Sequence, residues 1–282
     1  MMWKHAEEQL FKLLMIASTI IVVGSLVSVF GSVIIKGAPT LSVQMLTQTP
    51  HGGYYLGKDG GVLNAIIGSI YLATGATVLS FTLSLPLALY LNEYNGETRF
   101  TSYLRRLLDV LSGVPSIVFG AFTFTVMITF HVRASLMWGI LAVSMFEFPL
   151  MTRAIDEVLK KVPQGLRETA YALGSTRWET ASRVVTRQAL PGILSATLLS
   201  FGRGIGDSAA VMLTAGYTDN IPVSLSDPVA TLPLAVFFQL STPIPEVQSR
   251  AYASALILLI IILMLSSLSR WGSSKLMKYV IR

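Results

Sequence analysis

Apolar residues gather along this chain in six blocks, approximately 13–35, 64–91, 110–130, 135–152, 192–217 and 251–269, separated by polar stretches. Each block lies near the roughly 20 residues that a helix needs to cross the hydrocarbon of a bilayer. A helix satisfies its backbone hydrogen bonds internally, so such blocks predict membrane-spanning helices. The predicted fold class is all-α: a polytopic membrane protein with six transmembrane helices. The first block is too long and continuous for a signal-peptide core, and no A-x-A site follows it. It is therefore expected to be an uncleaved signal anchor. Only His131, Val132, Arg133 and Ala134 separate the third and fourth blocks, which predicts a tight hairpin.

Composition agrees with that pattern. Of the 282 residues, 52% are hydrophobic and only 13% charged, against about 25% charged in an ordinary soluble domain. With the N-terminus inside, sixteen Lys and Arg residues fall on the cytoplasmic side and four outside, while Arg203 lies within a block. That bias predicts both termini in the cytoplasm. Topology also accounts for the net charge of +6, so no nucleic-acid partner is expected. The absence of cysteine excludes a disulfide framework, a thiol nucleophile and a Cys-ligated metal site. His5, His51 and His131 are scattered, so no metal, cofactor or catalytic residue is expected.

Two outer loops have appreciable length. Residues 36–62 contain Gly52-Gly53 and Asp59-Gly60 turn signals, and residues 218–250 are rich in Pro and Ser. Pro228 and Pro233 interrupt Asp227–Gln239, which predicts a short re-entrant or interfacial helix and not a seventh span. The chain divides into residues 1–62, an anchor helix with the first external loop, and residues 63–282, a core of five helices carrying an inner loop at 153–191.

That inner loop has a helical pattern of its own. Ile155, Val158, Leu159 and Val162 recur at helical spacing up to Pro163, and a second helix begins near Gln164 with Leu166, Ala170 and Leu173 on one face. Gly174 is a helix stop suited to a left-handed turn. Ser175 is the expected N-cap of a helix over Thr176–Gln188, with Glu179 in its first turn. Pro191 marks the expected start of the fifth span. A solvated basic loop that only sets topology has no need of this helix–glycine–helix order, so the segment is read as a docking element.

The residues Glu168-Thr169-Ala170-x3-Gly174 resemble the EAA-x3-G signature of permease subunits of ABC importers. In that family the loop inserts into a groove of the ATP-hydrolysing subunit. Thr169 stands where the signature has its first Ala. The I-x-L-P-like ending is replaced by Val184-Val185-Thr186-Arg187, with a Leu190-Pro191 pair four residues later. The segment Gly113-Val114-Pro115-Ser116-Ile117-Val118-Phe119-Gly120 resembles that of phosphate importer permeases, as does Gly202-Arg203-Gly204-Ile205-Gly206-Asp207. The likeness runs from about residue 61 to the end and is closer to the PstA-type subunit than to its PstC-type partner. It implies half of the translocation pore of an ATP-driven phosphate importer. The implied partners are a homologous second permease subunit, two ATP-binding subunits and an external phosphate-binding protein. This chain has no G-x-x-x-x-G-K-[ST] loop, so ATP hydrolysis is expected elsewhere. On the resemblance, Glu168, Ala170 and Gly174 form the ATPase docking loop. A permease for sulfate or molybdate, or a secondary transporter, shares parts of this pattern.

The intramembrane charges carry their own argument. Counted from Pro191, Arg203 lies about 16 Å into a hydrocarbon core about 30 Å thick. Asp207 at i+4 is expected on the same face and within pairing distance, and Gly202 and Gly206 form a G-x-x-x-G step. The pair reads either as part of a substrate pathway or as an ion pair locking a helix interface. Glu147, about 9 Å inside the fourth block, is a third ionisable group expected to pair with Arg203 or Arg153. Ser112, Gly113, Pro115 and Ser116 break the third block, so Ser116 opens either a half-helix presenting N–H groups to an anion or an ordinary first turn. Arg203, Asp207, Glu147 and Ser116 are thus the candidate substrate-pathway residues.

Overall fold

A computed structural model describes residues 2–51, 59–94, 96 and 98–276. Helix α1 (Met2–Gly37) leads to α2 (Val43–Thr47) and to a two-residue antiparallel ladder of β1 (Pro50–His51) and β2 (Asp59–Gly60). Then come α3 (Leu63–Leu89), α4 (Arg99–Ser112), α5 (Ser116–Thr129) and α6 (Leu136–Lys160). The former loop segment holds α7 (Gln164–Ala172) and α8 (Arg177–Glu179), followed by α9 (Thr186–Ile205) and α10 (Ala209–Met212). Helices α11 (Leu232–Leu240) and α12 (Pro245–Leu276) complete the chain. The all-α class holds. The Asp59-Gly60 turn signal is part of β2, whereas Gly52-Gly53 and Lys58 lie outside the described residues.

Among the described residues, three helical segments are by themselves long and apolar enough to cross a membrane: Glu7–Thr40, Leu63–Tyr94 and Pro245–Gly272. The third block is a broken element, since α4 and α5 meet at 93°. Pro115 biases Val114 away from helical backbone, and Gly113 closes α4. The fifth block is also broken, because α9 stops at Ile205 and a separate short helix follows. At its other end the expected boundary moves: α9 runs through Pro191 from Thr186, so the docking segment and the fifth span share one helix. With 25 and 20 residues, α6 and α9 are about 37 and 30 Å long. Over Asp227–Gln239 the predicted short helix is α11, nine residues buried mainly against α12, its first N–H bonded to Ser69 Oγ at 2.8 Å.

Small polar side chains form the seam between α3 and α6. Ser80 Oγ donates to Ser144 O at 3.0 Å, Ser84 Oγ to Phe148 O at 3.2 Å, and Thr152 Oγ1 to Ser84 Oγ at 3.0 Å. In hydrocarbon no hydrophobic gain drives helices together, so close packing and such hydrogen bonds must do it. Helix α1 contributes little to this core. Its apolar side chains from Leu10 to Ile35 are largely exposed, and it meets the bundle on α12, where Gly37 abuts the Tyr252 backbone.

An ionic cluster closes the end of α6. Buried Asp156 receives Arg105 from α4 at 3.1 Å, Arg153 at 2.7 Å, Lys160 at 2.9 Å and Asn92 Nδ2 at 2.8 Å. Burial pushes its carboxyl upward, but the hydrogen bonds of Arg105, Lys160 and Asn92 and the Arg105 charge outweigh that and hold it below the usual carboxylate range. Its contribution to stability is therefore fully present at neutral pH and is lost as pH falls through that lowered value. Asp156→Asn leaves Arg105 without an acid among the described residues, while Arg153 keeps Asp109 and Lys160 keeps Glu157, and is expected to cost about 3 kcal/mol. Denaturant unfolding in detergent at pH 7 measures this; a loss under about 1 kcal/mol would show the cluster to be a solvated surface network.

Candidate functional site

The candidate residues converge where α5, α6, α9 and α10 meet. Arg203 lies in the last turn of α9 and is exposed on the surface of the chain. Its guanidinium sits 4.7 Å above the ring of Phe146, itself packed against Phe119 of α5 with centroids 6.2 Å apart. No carboxylate lies within 4 Å of it among the described residues. The expected Arg203–Asp207 pair is absent because the helix ends between the two residues, so i+4 spacing no longer puts them on one face. Instead the cation is set at the C-terminal, negative end of a helix dipole, and its charge lies over a π face.

Asp207 is compensated in the opposite way. Ser116 Oγ, at the first turn of α5, donates to its Oδ1 at 2.8 Å, and the N–H of Ala210 donates to its Oδ2 at 3.1 Å. Ser116 stands in the first turn of α5, and its hydroxyl, not a backbone N–H, is the group that meets Asp207. A missing side chain makes this contact possible. A Cβ on Gly120, one turn beyond Ser116, would lie 2.7 Å from Cα of Ala210, so only glycine lets α5 and α10 approach this closely.

Glu147 lies behind the backbone of α9 with no exposure. Its Oε2 accepts Thr77 Oγ1 from α3 at 3.2 Å; Oε1 and the hydroxyl of Ser200 are buried without a hydrogen-bond partner. Neither expected cation pairs with it: Arg203 lies over Phe146, and Arg153 is held by Asp109 at 2.6 Å and by Asp156. The glycine that matters here is Gly204, where a Cβ would overlap Oε1 of Glu147. The predicted Gly202/Gly206 step makes no helix–helix seam. Gly202 has nothing within 4 Å, and Gly206 meets only its own helix and Ile262 at 3.8 Å.

The segment predicted to dock forms two helices around a glycine. Gly174 has φ +84°, and the bonds Ser175 N to Ala170 O (3.1 Å) and Gly174 N to Tyr171 O (2.9 Å) close α7 as a Schellman turn. The next cap lies one residue beyond Ser175, at Thr176. Its hydroxyl accepts the N–H of Glu179, and the carboxylate of Glu179 accepts the N–H of Thr176, a capping box. Ala170 is buried, Glu168 is exposed, and Tyr171, Leu173 and Trp178 form an outward apolar ridge. Sequence reasoning missed the clamp beneath it. Arg167 bonds Glu93 with both arms of its fork, at 3.0 and 2.9 Å, and also donates to Val162 O and Leu159 O at the end of α6. Glu93 lies 74 positions away, in the helical turn Tyr90–Tyr94 that continues α3, which no local pattern reveals.

Comparison with known proteins gives one answer. Residues 81–277 match the family model described as binding-protein-dependent transport system inner membrane component. The chain is 30% identical over 269 residues to the phosphate transport system permease protein PstA of Yersinia pestis, covering 95% of this chain and 90% of that one. It is 38% identical over 205 residues to PstA 1 of Mycobacterium tuberculosis, covering 72% and 67%. A solved structure of a bacterial alginate ABC transporter, in complex with a periplasmic protein bound to an alginate pentasaccharide, contains a chain of similar fold. The TM-score is 0.60 at 13% identity, covering 96% of this chain and 98% of that one. With its interrupted inner-membrane helices, its helix–glycine–helix loop and this match over most of its length, the chain belongs to the family of inner membrane components of binding-protein-dependent transport systems.

Proposed function

We propose that this chain is one half of the translocation pore of an ATP-driven inorganic phosphate importer. The observation that carries the reading is Arg203: an exposed guanidinium without an acidic partner among the described residues, on an apolar face shared with Leu199 one turn earlier. Such a group is costly against lipid. A water-filled path between this chain and a homologous second permease gives it a solvent and a ligand. Its planar fork suits the oxygens of phosphate, and the relatives named for phosphate transport support that substrate. Six crossings with both termini in the cytoplasm complete the proposed topology, with residues 1–62 as an anchor segment and 63–282 as the core.

The mechanism follows from two connections. A pair of ATP-binding subunits would engage the ridge of residues 164–188, and their closure would displace it. Arg167 ties α7 to the ends of α3 and α6, so those helices move with it. Helix α9 begins within the same loop and carries Arg203 in its last turn, making one lever about 30 Å long. Displacement of the loop therefore re-aims the anion-binding cation and alternates its access. An external phosphate-binding protein would deliver the substrate at the opposite face, where 218–250 is exposed around Val223; the alginate transporter's complex with a periplasmic protein supports such a partner.

Four outcomes are expected. Arg203→Gln should assemble normally yet lower ATP-dependent phosphate uptake in vesicles roughly 10- to 100-fold, the worth of a charged hydrogen-bond donor set. Because Arg203 and Asp207 do not pair, a double-mutant cycle with Asp207→Asn should show stability coupling within about 0.5 kcal/mol of zero. Full uptake by Arg203→Gln would remove Arg203 from the pathway. At the docking loop, Glu168→Lys and Gly174→Asp should insert but fail to bind the ATPase subunit in co-purification, the second because an Asp is strained at φ +84°. Normal co-purification and uptake in both would refute the docking assignment. Finally, since the chain has no cysteine, single cysteines report topology directly: an impermeant maleimide should label Val223→Cys from outside and Leu173→Cys only after permeabilisation. The reverse pattern would invert the proposed orientation.

A further inference from the structure

Helix α4 presents a stripe that the bundle does not use. Phe100, Tyr103, Leu107 and Val110 recur at i, i+3, i+7 and i+10, and are 55%, 62%, 40% and 71% exposed. The next sector of the helix, with Thr101 and Leu108, is buried. Arg99 and Arg106 are exposed and border the stripe on its other side, since at 100° per residue they fall next to Val110 and Tyr103. The remaining charges of α4 pair with α6, Arg105 with buried Asp156 at 3.1 Å and Asp109, itself exposed, with Arg153 at 2.6 Å. Arg99 and Arg106 have no acidic partner among the described residues; Arg106 bonds only Ser102 O, within its own helix.

We infer that α4 is an in-plane membrane-surface helix whose two outward arginines bind the phosphate headgroups of anionic phospholipids. Orientation is the first support. Helix α4 meets the uniformly apolar α5 at 93°, so with α5 crossing the hydrocarbon α4 lies along the bilayer surface. Chemistry is the second. An apolar stripe with two aromatics, flanked by cations and with its acid drawn away, is the arrangement that immerses a helix to the depth of the acyl boundary. Its arginines then reach back to the headgroups. A soluble partner would leave the aromatic stripe without hydrocarbon, and a zwitterionic surface would leave the arginines without a net counter-charge. The ionic cluster at Asp156 joins this helix to the end of α6, so lipid binding and the position of the docking segment share one joint. The phosphate reading is not needed for any of this.

The test uses the assembled complex in nanodiscs and makes use of the cysteine-free background. An environment-sensitive fluorophore on Leu107→Cys or Val110→Cys should be quenched by lipids brominated near the top of the acyl chain. Copurified phosphatidylglycerol, counted by native mass spectrometry against phosphatidylcholine, should fall in Arg99→Gln/Arg106→Gln by roughly fivefold per arginine, and Arg99→Lys/Arg106→Lys should retain most of it. Labels shielded from brominated lipid in the complex would mean that the ATPase or the second permease covers the stripe, and would overturn the proposal. So would unchanged phosphatidylglycerol retention in the Gln variant.

Discussion

The hydrogen bond from Ser116 to Asp207 joins two breaks in the membrane-embedded helices, and the site is arranged around it. A helix that stops within hydrocarbon leaves orphan N–H and C=O groups that must find partners. Here the start of α5 and the start of α10 both receive the carboxylate of Asp207, and the end of α9 carries the cation of Arg203. Each charge is balanced by a helix terminus and not by the other charge. That leaves Arg203 available to an anion from outside the chain, which a tight ion pair would prevent.

The same breaks decide how motion can pass through the chain. Helix α9 is continuous from the docking loop to Arg203, and α6 continues to the point where Arg167 grips its last carbonyls. The side chains of Glu93 and Arg167 are mostly covered, and their two-armed bond makes the joint at the base of the bundle stiff. At the opposite end of the lever lie Gly204, Glu147 and Thr77, where helices pack through a glycine and one hydroxyl hydrogen bond. A stiff base and a more loosely bonded far end suit the lever motion proposed for this helix. Two of the buried polar atoms without a hydrogen-bond partner, Glu147 Oε1 and Ser200 Oγ, lie at that far end.

Much of this was legible in the sequence. Six apolar blocks and their flanking charges specified an all-α membrane protein, because hydrocarbon leaves a helix few alternatives. The glycine stop at Gly174 and the break at Gly113–Pro115 are local, since each depends on residues within one turn, whereas the cap expected at Ser175 falls one residue later, at Thr176. What failed was every inference that assumed an unbroken helix. The pairing of Arg203 with Asp207, the Gly202/Gly206 seam and a span running to residue 217 all rested on regular periodicity through Gly206.

Sequence alone therefore determined the solvent in which this chain folds and the helix–glycine–helix segment at 164–188, and it named the ionisable residues within the apolar blocks. Only the tertiary structure decided the partners of those residues. Arg167 with Glu93, Arg105 with Asp156, Ser116 with Asp207 and Gly204 with Glu147 are each more than 50 positions apart. Side chains that far apart meet through helix packing, and in hydrocarbon that packing is set by small residues and hydrogen bonds. A hydrophobic pattern records that a residue is buried in a bilayer; which helix lies against it depends on shape, and shape exists only once the bundle has formed.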